Sequence, residues 1–227
     1  MPGRRDGIVV AIDGPVASGK STTARGVARA LGYLWLDTGA MYRAVGLAAL
    51  EAGVPLSDAD GLGALAEGSD VRLVREGAGV RVILDGRDVT ELIRTAEVTH
   101  AASAVAVASR VRRRLVSLQQ EAGRRGGVVA EGRDTTTVVF PDAELKVFLT
   151  AVGDARARRR LGDFADAGRG CDIESVSAEI AERDERDSTR DDSPLCLADD
   201  AVVIDNSEIS AGETVRRIVT LARERGA

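Results

Sequence analysis

The chain has 227 residues, 44% of them hydrophobic and 30% charged, with a formal net charge of −5. That is enough chain to bury a sizeable core as one domain, or as one domain with an insertion. The acidic balance excludes a general nucleic-acid or membrane-surface binder, which would carry a basic excess, although a local cluster of cations suffices to hold one small anion. Two cysteines, Cys171 and Cys196, are too few for a disulfide framework. No apolar run approaches the ~20 residues of a membrane span. A reducing, cytoplasmic setting is therefore expected.

In chain order, IVVAI (8–12) predicts a buried strand and GKSTTARGVARALG (19–32) a helix stopped by Gly32. A short strand at 34–36 leads through DTGA into a helix from about 40 to 52. VRLV (71–74) and VRVIL (80–84) alternate apolar with polar around REGAG, which predicts an antiparallel hairpin with one wet face. The hairpin belongs to a small inserted subdomain, 55–95. One or two helices follow over 95–123. Strands are predicted at 128–132, 145–150 and 201–205, with helices at 153–166 and 211–225. Alternation of this kind gives an α/β fold: a parallel sheet with helices on both faces, plus the insert.

GPVASGKST (14–22) fits the phosphate-loop pattern G-x-x-x-x-G-K-[ST], with a strand before it and a helix starting inside it. Gly14 and Gly19 let the backbone turn so that the N–H groups of Pro15–Thr22 (through Val16, Ala17 and Ser18, with Pro15 supplying none) line one concavity at a helix N-terminus. Lys20 adds a point charge for the β- and γ-phosphates of ATP, and the Ser21 hydroxyl a ligand for Mg²⁺. Only two residues of the chain are lysines, Lys20 and Lys146, and one falls where the motif needs it. Asp13, at the strand end, is placed either to act on a metal-bound water or to hold the loop.

The class of phosphate-loop protein follows from what else is present. A guanine-reading Asn-Lys pair is absent. VVIDN (202–206) is a weak candidate for the metal-binding strand of a motor ATPase. A kinase needs a second anion site. DTGAMYR (37–43) offers one: the Thr38 hydroxyl, the Gly39 N–H, and Arg43 one helical turn further on. The same residues would also serve as an ordinary capped helix with a surface Arg. EGRD (131–134) ends another apolar strand, where open α/β sheets bind ligands.

The order GPVASGKST, DTGAMYR, VRLV…VRVILDGRDVT, AAS (101–103), EGRDTTTVVFPDA, KVFLTA and ERDERDSTR resembles the bacterial cytidylate kinase family over about 8–222. The resemblance implies a nucleoside-monophosphate-kinase fold with a core, the CMP-binding insert at 55–95 and a mobile lid at 155–172. It also implies roles. Thr38, Arg43, Arg133 and Arg190 look like ligands of the CMP phosphate, with Tyr42 beside them. Ser103, Arg112 and Asp134 look like the cytosine readers, and Arg183 and Asp187 like the ribose contacts. The lid arginines fall at 156–160. Lys20, Arg133, Asp134 and Arg159 are the catalytic set.

Chemistry agrees with the base readers, since a carboxylate accepts from the cytosine amino group. Arg183, Asp187 and Arg190 have i, i+4, i+7 spacing, which expects them on one helical face; without the resemblance, 183–193 reads as a solvated charge run. The chain departs from the family pattern at Thr38 for Ser, at Thr136 for Gly, and at Asp191–Asp192, where smaller apolar residues are expected. His100 is expected as a helix-surface or core histidine, and Trp35 and the two cysteines as packing residues.

The implied reaction moves the γ-phosphate of ATP onto CMP or dCMP, with Mg²⁺ and no general base. Its partners are ATP and CMP or dCMP, with no nucleic acid or membrane, and the chain is expected as a monomer. The rivals are another small-molecule kinase, although D-G-F-P-R is absent, and a regulatory protein that senses ATP without transferring phosphate.

Overall fold

The computed structural model describes residues 4–76, 79–166 and 170–227. The hairpin turn residues 77–78 and the lid residues 167–169 of the sequence reading lie outside them.

Five strands form one parallel sheet: β1 (Val9–Asp13), β2 (Leu34–Asp37), β6 (Val128–Gly132), β7 (Leu145–Thr150) and β8 (Val202–Asp205). Their spatial order is β2-β6-β1-β7-β8. Every residue of β1 and β6 is buried, as expected for central strands covered by helices on both faces. One face packs on α1 (Lys20–Leu31) and α8 (Ala211–Glu224), through Val27, Ala28, Ile218 and Ala222. The other packs on α2 (Thr38–Ala52), α4 (Ala96–Val105) and α5 (Ser109–Gly123), through Met41, Val45, Val105, Val111 and Leu115. The chain runs from β1 through α1 to β2 and leaves a gap that β6 fills. The carboxyl ends of β1, β6 and β2 therefore meet at a topological switch point, the place where such sheets bind ligands.

The insert is a separate antiparallel sheet in the order β3-β4-β5, preceded by α3 (Ala59–Gly68). In β3 (Val71–Glu76) and β4 (Gly79–Leu84), Val71 pairs with Leu84 and Leu73 with Val82 on the covered face, while Arg72 and Arg81 face water. The short β5 (Arg87–Asp88) was not expected. Its signal was the dipeptide Asp85-Gly86, with φ of 49° and 81°, the left-handed pair that a tight hairpin turn requires. The 95–123 segment is two helices, broken at 106–108.

Beyond β7, α6 (Gly153–Asp166) and α7 (Ile173–Thr189) pack on each other and on the phosphate loop. Ala157, Phe164, Val176 and Ile180 enclose Val16 in a small core of their own. α7 was expected only at its C-terminal end, from the helical spacing of Arg183 and Asp187. Among the described residues no helix is long and apolar enough to cross a membrane.

Candidate functional site

The phosphate loop joins β1 to α1. Gly14 has φ 152°, and a Cβ there would lie 2.0 Å from the Leu149 carbonyl oxygen of β7, so only glycine fits. Ala17 (φ 57°) and Gly19 (φ 87°) are also left-handed. Lys20 is buried, with its ammonium donating to the Pro15 carbonyl at 2.6 Å and lying 3.3 Å from Ser18 Oγ. Burial, and next the Arg133 charge, push its pKa well below the lysine range. Arg159 of α6 donates to the side chain and backbone of Asn206 at 2.9 and 2.7 Å, and Asn206 donates to the Ser18 carbonyl at 2.9 Å. Arg159 therefore touches the loop's outer wall through the end of β8. Arg156 is paired with Asp184 of α7 and donates to the Val16 carbonyl, and Asp184 accepts the Val16 N–H.

Of the two roles open to Asp13, the structure has it holding a loop, though not the phosphate loop. Its two oxygens accept four hydrogen bonds, from the N–H and hydroxyl of both Thr135 and Thr136, all at 2.7–2.9 Å. These residues form one wide π-type turn, Thr135–Val139, closed by Val139 and Phe140 N–H groups bonding five residues back. That explains Thr136 in place of glycine: its φ is not positive, and its hydroxyl fills a bond to Asp13.

Sequence reasoning passed over Glu131. It is the last residue but one of β6, paired with Ile12 of β1, and it is buried. Ser21 Oγ donates to Oε2 at 2.8 Å and the indole N–H of Trp35 to Oε1 at 3.1 Å. Burial, then the nearby Asp37 charge, raise its pKa to about 7. The quoted EGRD contained it, but only strand order shows that β6, rather than β8, borders the loop strand. The alternative VVIDN strand is β8 at the sheet edge, and Asp205 there accepts from Ser207.

The residues of the expected second anion site come together across the strand ends. Asp37 caps α2 by accepting from the Ala40 N–H at 2.9 Å, so that helix begins at Thr38, earlier than expected. Asp37 also pairs with Arg43 at 2.9 Å. Thr38 Oγ1 donates to the Glu131 carbonyl at 2.7 Å. Arg133 pairs with Asp187 of α7 at 2.7 Å. Arg183 is on the same helix, 3.8 Å from Glu179, with burial lowering its pKa.

Arg190 corrects the single-face expectation. It follows the helix in an extended conformation (ψ 142°), so only Arg183 and Asp187 share a helical face. The guanidinium nevertheless reaches to 3.8 Å from Asp134.

Asp134 is the centre of a buried charge cluster. Arg112 of α5, 2% exposed, donates to it, and Arg112 lies 5.7 Å above the Tyr42 ring. Burial raises the Asp134 pKa against the opposing pull of Arg112 and Arg190. The Tyr42 hydroxyl is buried without a hydrogen-bond partner among the described residues, and burial pushes its pKa up to about 12. Ser103 turns its hydroxyl back to the Thr99 carbonyl, and no hydrogen bond joins it to this cluster among the described residues. It stands one turn before Ala106, whose carbonyl accepts from Arg112 at 3.2 Å.

Trp35 is more than packing, because it holds Glu131. Cys171 and Cys196 are exposed, contrary to the packing expectation, while His100 is exposed on a helix, the surface one of its two expected places. Among the described residues no group of three His, Cys, Asp or Glu side chains forms a protein-only metal cage. A hydroxyl with one or two carboxylates is the donor set of a magnesium ion carried mostly by phosphates and water, and Ser21, Glu131 and Asp37 fit it.

A family model described as cytidylate kinase matches residues 10–224. The cytidylate kinase of Exiguobacterium sibiricum is 48% identical over 215 residues, covering 95% of this chain and 96% of its own. That of Mycobacterium avium (strain 104) is 48% identical over 219 residues, covering 96% of each chain. That of Geobacter sp. (strain M21) is 42% identical over 222 residues, covering 98% and 95%.

Proposed function

As the chain belongs to the cytidylate kinase family, we propose that its two facing anion sites carry out that transfer through the residues described above. The chain is a nucleoside monophosphate kinase that moves the γ-phosphate of ATP onto CMP or dCMP, giving ADP and CDP or dCDP.

In this reading the N–H groups of the phosphate loop and Lys20 bind the β- and γ-phosphates. Ser21, Glu131 and Asp37 would hold Mg²⁺, which supplies charge neutralisation on the transferring phosphates. Thr38, Arg43, Arg133 and Arg190 take the CMP phosphate, with Tyr42 beside them. Asp134 accepts the cytosine amino group, Arg112 and Ser103 serve the ring acceptors, and Arg183 and Asp187 face the ribose. A monoester phosphate has its second pKa near about 6 and is largely ionised at neutral pH. It needs no general base, so the residues act by alignment and charge.

The insert at 55–95 and the lid at 155–172 close over the nucleotides and keep water from the γ-phosphate. Arg159, tied to Asn206 and through it to Ser18, carries the lid's charge to the donor side. The partners are free nucleotides, bound by the local cation clusters, in a cytoplasmic monomer; the net charge of −5 speaks against nucleic acid or a membrane surface as a partner.

The single observation that carries the base assignment is the buried Asp134, held by two arginines at a strand end. Uracil would set an oxygen against that carboxylate and leave a buried polar group unpaired. The test is ADP release from MgATP with CMP, dCMP, UMP, AMP and dTMP as separate acceptors. CMP and dCMP should turn over far faster than the others. Fast turnover with AMP or dTMP and none with CMP would overturn the reading.

A further inference from the structure

The turn after α7 carries one carboxylate that the reading above leaves unused. Asp192 approaches Arg112 at Nε, with Oδ1 3.6 Å away, while Asp134 holds Nη2 of the same guanidinium. A cation that is 2% exposed therefore sits between two carboxylates. Its Nη1 donates to the Ala106 carbonyl, and its Nε is buried without a hydrogen-bond acceptor among the described residues.

The turn that delivers Asp192 is over-determined. Ser193 is left-handed at φ 55°, a conformation that a non-glycine residue keeps only when its surroundings impose it. Arg190 Nε donates to the Ser193 carbonyl at 2.6 Å, and the Leu195 N–H donates to the Asp187 carbonyl at 2.7 Å. Ser193 Oγ donates to Asp192 at 2.6 Å. One strained turn thus sets both Arg190 near Asp134 and Asp192 near Arg112. The hydrogen bond from Ser193, together with Arg112 and Arg190, holds Asp192 below the usual carboxylate range.

We propose that Asp192 is a specificity-determining residue of the base site, excluding uracil by placing its negative charge 3.6 Å from the Nε edge of Arg112. The inference rests on the reading that Asp134 and Arg112 face the pyrimidine edge. Uracil carries an acceptor oxygen where cytosine carries an amino donor, so a site that takes uracil needs a donor free to meet that oxygen. With Asp192 present, the charges of Arg112, Arg190, Asp134 and Asp192 sum to zero and Arg112 has a carboxylate on either side, one hydrogen-bonded and one at ion-pair distance. Without it the cluster carries one net positive charge, and the guanidinium is free to turn a donor toward the uracil oxygen. The cytosine amino group still has Asp134. Asp192 acts as a repulsive element against the wrong base, a common device of specific sites.

The test compares kcat/KM for CMP, dCMP and UMP at saturating MgATP in the full chain, in Asp192→Ala and in Asp192→Asn, with Asp134→Asn alongside. Both Asp192 variants should raise the UMP-to-CMP ratio about tenfold, mainly through a lower KM for UMP, with the KM for ATP unchanged. If the ratio stays within about twofold while Asp134→Asn erodes the CMP preference, the inference is overturned and the base reading stands. A parallel rise in KM for CMP and UMP, the mark of a loosened turn, also counts against it. If Asp134→Asn leaves the ratio unchanged, the base is read elsewhere and both fall.

Discussion

The donor and acceptor halves of the site are built from different materials. The donor half is one continuous segment, 13–22, whose anion-binding groups are mainly backbone N–H and whose Lys20 rests on a neutral carbonyl. The acceptor half draws side chains from α2, α5, the end of β6 and the end of α7. There, three arginines assigned to the CMP phosphate already hold a carboxylate: Arg43 with Asp37, Arg133 with Asp187, and Arg190 with Asp134. The backbone cradle comes from one segment, although its Val16 N–H already donates to Asp184. A side-chain cradle assembled from mutually repelling cations is held in shape by its own counter-ions, which the incoming nucleotide must partly replace.

The sharpest way to break this comparison is Arg133→Ala, which removes a cation standing between the two halves. Turnover should fall by about 10³-fold or more, as for other arginines at a transferring phosphoryl group. Single-turnover kinetics would show the loss in the chemical step; a loss confined to KM would place Arg133 in binding alone. Next in size is Asp134→Asn, which should shrink the CMP-over-UMP preference on the order of 100-fold, read from kcat/KM.

Glu131→Gln tests the edge between the halves in two ways. Trp35 is the only tryptophan and donates to Glu131. MgATP should therefore change its emission in the parent protein and change it much less in the variant. The Glu131 pKa is raised from 4.5 to about 7. Its contribution to folding is thus full below about pH 4.5 and is lost as pH rises through about 7. Thermal unfolding of the ligand-free parent should show that loss between pH 5 and 8, and Glu131→Gln should not.

The smallest effect is structural. In Asp13→Asn an amide would face donors that now meet a carboxylate, and unfolding should be easier by about 2 kcal/mol, measured by denaturant titration. An unchanged midpoint would mean that the wide turn does not depend on Asp13.

The same contrast explains what could be read from the sequence. The donor half is local, so its glycines, Lys20 and Ser21 show as one spaced pattern, and the sheet strands show as β-branched runs. The acceptor half spans Thr38 to Arg190 and is brought together only by strand order. Spacing within DTGAMYR and the strand-end position of EGRD pointed to Thr38, Arg43, Arg133 and Asp134, but the remaining residues were nameable only through resemblance to a family. Glu131 was missed because its meaning depends on β6 lying beside β1, which is a fact of topology. The wide turn at 135–139 was missed because its cause, Asp13, lies 122 residues away. Arg190 was placed on a helix because periodicity does not show where a helix stops; the structure ends it at Thr189.

The most direct test of the central claim, that the acceptor half reads cytosine through Asp134, is calorimetric titration of the ligand-free protein with CMP and with UMP, repeated on Asp134→Asn. The account predicts clear binding of CMP over UMP in the parent and near-equal binding in the variant, with ATP affinity unaltered. Equal preference for CMP in both proteins would contradict it.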